Sequence, residues 1–160
     1  MSRSHVRLTK PQNDAELSAV KALFEDYARS LNFSLAFQDF EQEMATFPAK
    51  YAPPTGALIL ATVDDQPAGA VALWQQAPSI CEMKRLYVRP EFRGHELGRK
   101  LAEAIVAEGK SLGYRAMRLD TFKDSMARAK ALYERMGFVE VEPYYDNPMP
   151  DVCYMEMMLR

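Results

Sequence analysis

Residues 84–100, KRLYVRPEFRGHELGRK, gather six Lys or Arg (Lys84, Arg85, Arg89, Arg93, Arg99, Lys100) against two acids (Glu91, Glu96), which leaves +4 locally in a chain whose net charge is -2. The segment runs from an apolar strand pattern into an amphipathic helix pattern. A helix start leaves about four backbone N–H groups unpaired, and together with the helix dipole they attract anions. Gly94 and Gly98 let backbone approach an anion without an intervening side chain. These features predict a phosphate-bearing ligand. A GxxxxGK[ST] loop and a GxGxxG turn after the first strand are both absent from the sequence, so neither nucleotide-binding loop applies.

Other chemistries are excluded on residue type. The only histidines are His5 and His95 and the only cysteines Cys81 and Cys153, with no CxxC or HExxH spacing, so no metal or redox centre is expected. Both cysteines read as small buried hydrophobes with reduced thiols. The near-neutral balance and a pI of 5.8 argue against a general nucleic-acid surface. No apolar run approaches a membrane span, and MSRSHVRLTKPQNDAE lacks the apolar centre of a signal peptide, so a soluble cytoplasmic protein is expected.

The elements that must position the basic segment follow from periodicity. At 160 residues, 48% hydrophobic and 26% charged, the chain suits one globular domain spanning 1–160. His5 to Lys10 reads as a strand. Leu17, Val20, Phe24, Tyr27 and Leu31 form the stripe of a first helix, with Asn13 and Glu16 as a capping box. A second helix is expected from about Gln38 to Thr46, before Pro48, and a loop from Phe47 to Gly56. Ala57–Val63 and Ala68–Gln75 make a hairpin across DDQP, and Ile80–Val88 is its third strand. A helix from Leu97 to Leu112 ends at Gly113, Arg115–Thr121 is a strand, and Met126, Ala129, Leu132 and Met136 mark a helix closed by Gly137. Phe138–Val141 and Val152–Leu159 close the chain as strands around the polar, aromatic loop PYYDNPMPD. The predicted fold is a single mixed α/β (α+β) sheet flanked by helices, with no internal repeat.

Arg93-Gly94-His95-Glu96-Leu97-Gly98, following YVRPEF, resembles the Q/R-x-x-G-x-G/A acetyl-CoA loop of the GNAT-type (GCN5-related) N-acetyltransferases. The strand ending in LYV at 86–88, the RP at 89–90 and LYERMGF at 132–138 resemble family features in the family order. Residues 80–138 carry nearly all of the resemblance. Two positions depart from the pattern: Glu96 stands where a glycine is usual, and Met126 where many members place a cofactor-contacting asparagine. Glu96 fits the loop if it takes ordinary helical φ/ψ or pairs with Arg93 or Arg99.

The resemblance implies a largely antiparallel, splayed sheet in which the Ile80–Val88 and Arg115–Thr121 strands separate around the pantetheine arm of acetyl-CoA. The sequence adds a sign of its own. Glu82 and Lys84 share parity with Leu86 and Val88, a conflict that a β-bulge near Lys84 or Arg85 resolves, the other reading being an edge strand with ordinary polar alternation. Leu86, Tyr87, Val88, Arg93, Gly94, His95, Glu96, Leu97, Gly98, Arg99 and Met126 are the implied cofactor contacts, with Arg89 or Arg93 supplying charge to the phosphates. No metal is implied.

Acetyl transfer needs a deprotonated amine, a polarised thioester carbonyl and an acid for the departing thiolate. Tyr133 matches the family tyrosine and is the implied acid; the other reading is a packing role. Glu82 is the candidate base, a carboxylate in the sheet interior, or else an ion-pair partner of Lys84 or Arg118. Asp120 is the alternative carboxylate, and water a third. Trp74, Asp120, Tyr144, Tyr145 and Asn147 are candidate acceptor contacts. The expected activity is acetyl transfer to a primary amine of a small molecule or protein, the alternative being a non-catalytic acyl-CoA sensor of the same fold. The last strand and the 144–151 loop leave room for a homodimer.

Overall fold

The computed structural model describes residues 5–31, 34–35, 39–124 and 126–160. The first strand, β1, is Val6–Thr9. Helix α1 spans Asp14–Ser30, and its start obeys the capping expectation: the Asn13 side chain accepts from the Glu16 N–H at 2.9 Å. The Glu16 carboxylate reaches back one residue further than a capping box requires, to the Gln12 N–H at 2.9 Å. Helix α2 is Phe40–Ala45; the expected start at Gln38 lies outside the described residues. Within the predicted loop that follows, Ala49–Tyr51 winds into a short 3₁₀ turn and drives the Tyr51 ring into the core with no exposure.

Strands β2 (Ala57–Val63) and β3 (Gln66–Ala77) are joined by Asp64 and Asp65 alone. Both aspartates take positive φ (50° and 68°), the geometry of a hairpin turn that matches strand twist. β3 therefore starts two residues earlier than its apolar pattern suggests. β4 (Ile80–Val88), helix α3 (Leu97–Ser111), β5 (Ala116–Phe122), helix α4 (Ala127–Met136), β6 (Val139–Val141) and β7 (Val152–Met158) complete the predicted order. One seven-stranded sheet results, ordered β1-β2-β3-β4-β5-β7-β6. All neighbours are antiparallel except β4 and β5. Apolar clusters cover both faces: α3 with Tyr133 and Phe138 on one, α1, α2 and Tyr51 on the other. No helix among the described residues is long and apolar enough to cross a membrane.

The active region is set by β4. It pairs in parallel with β5 only over Ile80–Glu82 against Ala116–Arg118, and β5 then follows β7 instead. On its other side β4 carries the expected bulge: Ala72 pairs with Lys84 and Ala70 with Tyr87, and Arg85 takes φ 62°. The extra residue reverses the side-chain parity. Cys81 and Met83 before it, and Leu86 and Val88 after it, share the α3 face, while Tyr87 turns to the α1 face.

The bulge also sends Arg85 inward, where its guanidinium grips Glu43 of α2 with two hydrogen bonds of 3.0 and 3.2 Å. Both side chains are nearly fully buried, at 3% and 5% exposure. A Glu43→Gln substitution removes the negative charge that faces Arg85 in the interior. A loss of about 3–5 kcal/mol is expected, which a thermal melt registers as a fall of roughly ten degrees for a domain of this size. A fall of a degree or two would show that α2 is not fastened to the bulge.

Candidate active site

Where β4 and β5 part, a cleft runs through the sheet. It has an inner chamber of about 90 Å³ and an outer groove of about 700 Å³, which share Tyr27, Leu86, Met126 and Ala129. Leu86, Tyr87 and Val88 form one wall of the groove; Arg93, Gly94, Glu96, Leu97 and Gly98 form its far end; Met126 and Arg128 close it from α4. His95 and Arg99, expected at the same ligand, do not line it. Arg99 pairs instead along the helix surface with Glu96 at 3.0 Å and Glu103 at 2.8 Å.

The far end is built for an anion. The first bond of α3 is Lys100 N–H to Glu96 C=O at 3.1 Å, so the N–H groups before it have no intrahelical acceptor, and the Glu96 side chain caps none of them. Gly94 sits at φ 101°, a conformation that requires glycine, although a side chain would meet open space. Arg93 and Arg128 supply cationic charge; Arg128 was not expected from the sequence, where nothing separates it from an ordinary surface residue. Arg89 belongs elsewhere. Its guanidinium holds Asp26 of α1 (3.0 and 2.9 Å) and the Pro67 carbonyl (3.2 Å), so it braces α1 against β4; of the two arginines offered for the phosphates, Arg93 is the one that lines the groove.

Glu96 departs from the helical geometry expected of it: φ 57° and ψ 29° place it in the left-handed region, the reason glycine is usual there. Its carboxylate is steadied by Arg99, as one of the sequence alternatives held. Glu96→Gly removes both the strain and a negative charge from the groove, at the cost of an exposed ion pair of little worth. Acetyl-CoA is expected to bind several-fold tighter by calorimetry, with a Tm a few degrees higher; weaker binding would mean that the Glu96–Arg99 pair shapes the loop.

In the inner chamber Tyr133 and Asp120 line one space, together with Tyr27, Lys84 and Arg85. Tyr133 is 6% exposed, its ring edge-on to Phe138 at 5.8 Å. Burial, then the nearby Tyr27 and Asp120, push its phenol well above the usual 10. Burial likewise pushes the Tyr27 phenol up to about 12. Met126 stands at the junction of chamber and groove, its sulfur 3.8 Å from the Thr121 hydroxyl.

The two carboxylates differ in what they have left to offer. Glu82 is 2% exposed and does not line the chamber. Its Oε1 accepts from the Trp74 indole at 2.7 Å, its Oε2 accepts from the Tyr144 hydroxyl, and Lys84 Nζ stands 3.8 Å away. Arg118 is not its partner; that guanidinium holds Glu156 and Gln76 at 2.9 and 2.8 Å. Asp120 uses only Oδ2, which accepts from the Tyr145 hydroxyl and from Asn147 Nδ2 at 3.0 Å. Its Oδ1 makes no hydrogen bond among the described residues. The 144–147 loop thus holds both carboxylates, and burial beside them pushes the Tyr144 and Tyr145 phenols upward, so they stay donors. No cluster of His, Cys, Asp and Glu suited to a metal occurs among the described residues, and Cys81 and Cys153 are buried free thiols.

Residues 19–138 match the family model described as Acetyltransferase (GNAT) family. An uncharacterized N-acetyltransferase of Schizosaccharomyces pombe is 39% identical over 98% of this chain and 97% of its own. Among solved structures, a GNAT-family acetyltransferase of Staphylococcus aureus superposes with a TM-score of 0.78 at 15% identity, over 98% of this chain and 100% of that one. A Salmonella typhimurium structure solved with its cofactor acetyl-CoA superposes with a TM-score of 0.74 at 16% identity, covering 97% and 94%.

Proposed function

The chain belongs to the GNAT acetyltransferase family, and from that premise we propose that it moves the acetyl group of acetyl-CoA to a primary amine by direct attack on the thioester. The observation that carries the reading is the inner chamber. It offers a carboxylate oxygen with no partner among the described residues, Asp120 Oδ1, and a protonated phenol, Tyr133, in one space where the sheet splits. The groove suits the rest of acetyl-CoA: an unpaired strand edge along Leu86–Val88 for the amides of an extended arm, and N–H groups with Arg93 and Arg128 for the phosphates.

In this reading Asp120, not Glu82, takes the amine proton, because Glu82 spends both oxygens on Trp74 and Tyr144. The β4 edge polarises the thioester carbonyl through backbone N–H. As the N–C bond forms and the C–S bond breaks, Tyr133 gives its proton to the departing sulfur, and the amine proton ends on Asp120. Tyr145 and Asn147 are positioning residues that aim Asp120. Two measurements test the proposal: calorimetry with acetyl-CoA, and thiol release with a panel of amines. Binding together with amine-dependent thiol release is expected. Binding with no release across the panel would favour the acyl-CoA sensor, a reading that Met126 in place of the family asparagine keeps in view.

A further inference from the structure

We infer that the donor extends beyond acetyl-CoA to propionyl- and butyryl-CoA, whose longer acyl tails lodge in the half of the chamber that faces α3; this rests on the reading of the chamber as the acetyl-transfer site. The register divides the chamber in two. Met83 pairs with Leu73 and Lys84 with Ala72, so Met83 looks to the α3 face and Lys84 to the α1 face. On β5 the alternation repeats: Leu119 belongs to the α3 face and Asp120 to the other. Met83, Leu86, Leu119 and Ala129 therefore form an apolar half beside Tyr133, while Asp120 lies in the polar half across the split.

The thioester arrives between the halves. Groove and chamber meet at Tyr27, Leu86, Met126 and Ala129, so an arm lying along Leu86–Val88 brings its acyl carbon to that junction. With the amine approaching from Asp120, the tail turns to the other face, into the apolar half. That half is generous for a lone methyl: one water-sized group needs about 10–15 Å³ of free space, and the chamber holds about 90 Å³. Its walls also yield. Met83 and Met126 are unbranched and adaptable and Ala129 is short, so further carbons meet a soft surface and not a rigid branch. The Met126 sulfur accepts from the Thr121 hydroxyl at 3.8 Å, which holds that side chain at the junction and makes it the gauge of chain length. The chemistry is unchanged by the tail: the amine nitrogen bonds the acyl carbon, the C–S bond breaks, the amine proton goes to Asp120 and Tyr133 protonates the sulfur.

The test is calorimetry of the full chain with acetyl-, propionyl-, butyryl- and hexanoyl-CoA, followed by thiol release from each with the amine that acetyl-CoA serves best. Each added methylene is expected to tighten binding about fourfold as far as butyryl, the worth of one buried CH₂, and the gain should stop at hexanoyl. Thiol release from butyryl-CoA should match that from acetyl-CoA or exceed it in kcat/KM. In Met126→Ala the gain should carry on to hexanoyl-CoA; a limit unmoved in a folded Met126→Ala protein would overturn the assignment of Met126. Butyryl-CoA that binds no tighter than acetyl-CoA, or binds without releasing thiol where acetyl-CoA does, would overturn the inference while leaving the N-acetyltransferase reading intact. Affinity that climbs evenly through hexanoyl in the wild type would put the tail on an open surface and overturn it as well. Failure of acetyl-CoA itself to bind would remove the proposed function, and this inference with it. The wild-type series decides the matter even if the variant fails to fold.

Discussion

Asp120→Asn is expected to lower kcat by about 100- to 10,000-fold at neutral pH, the range that a positioned general base contributes. The substitution is nearly isosteric. Asparagine keeps a carbonyl oxygen to accept from Tyr145 and Asn147, so the 144–147 loop should stay in place and the melting temperature should barely move. What changes is Oδ1, which becomes an amide and cannot take a proton. The defect should shrink as pH rises, because free amine accumulates in solution as the pH approaches a primary amine's pKa of about 10.4, and the need for a protein base falls with it. Glu82→Gln should behave differently. Its new amide NH₂ must face either the Trp74 N–H or the Tyr144 hydroxyl, so the cost appears as lost stability, and the pH dependence of kcat should keep its shape. If Glu82→Gln flattens the acid limb of the rate profile and Asp120→Asn does not, the base is Glu82. If neither alters it, the amine arrives neutral and water suffices.

Most of the fold is written in short-range signals, and the site is written in long-range ones. Period-3.6 and period-2 patterns gave each helix and strand to within a few residues, because each depends on neighbours one to four positions away. Even the bulge was legible, since Glu82 and Lys84 on the parity of Leu86 and Val88 form a contradiction that an extra residue removes. Tyr51 was not: proline and glycine spacing marks a loop but does not reveal that one aromatic turns into the core. The choice between carboxylates was equally hidden. Tyr144 donates to Glu82 across 62 residues and Tyr145 to Asp120 across 25. Two adjacent tyrosines on one loop therefore decide which acid keeps a free oxygen, and no local pattern encodes that. Arg89 shows the converse. Its place in a basic run suggested phosphate, but charge in sequence says nothing of Asp26, 63 residues earlier, which already holds it.

Tyr133→Phe should lower kcat by about 100-fold while the affinity for acetyl-CoA changes by less than about twofold. The Tyr133 hydroxyl has no protein hydrogen-bond partner among the described residues, and the ring packs edge-on against Phe138, a contact that phenylalanine keeps. Loss of the hydroxyl should therefore leave folding near neutral pH unchanged within about 0.5 kcal/mol, the ordinary scatter of substitutions that remove no partner. A large kinetic loss without a stability loss is what an acid predicts and a packing residue does not. The pH dependence gives a second criterion. Burial, with Tyr27 and Asp120 behind it, holds the phenol protonated above its usual 10, so the ratio of wild-type to variant rate should stay flat from pH 7 to 9. The same shift acts on stability: above pH 10 the unfolded chain releases the phenol proton while the folded chain retains it, so unfolding becomes easier as pH rises, by up to about 1.4 kcal/mol per pH unit for one such group. Wild type should therefore lose more stability than Tyr133→Phe between pH 10 and 11 in chemical denaturation. Proton donation from a phenol to a thiolate whose acid has a pKa near 8.5 runs uphill on acidity alone, so contact must supply the advantage. A Tyr133→Phe enzyme with full turnover would leave that advantage unneeded and assign the proton to water.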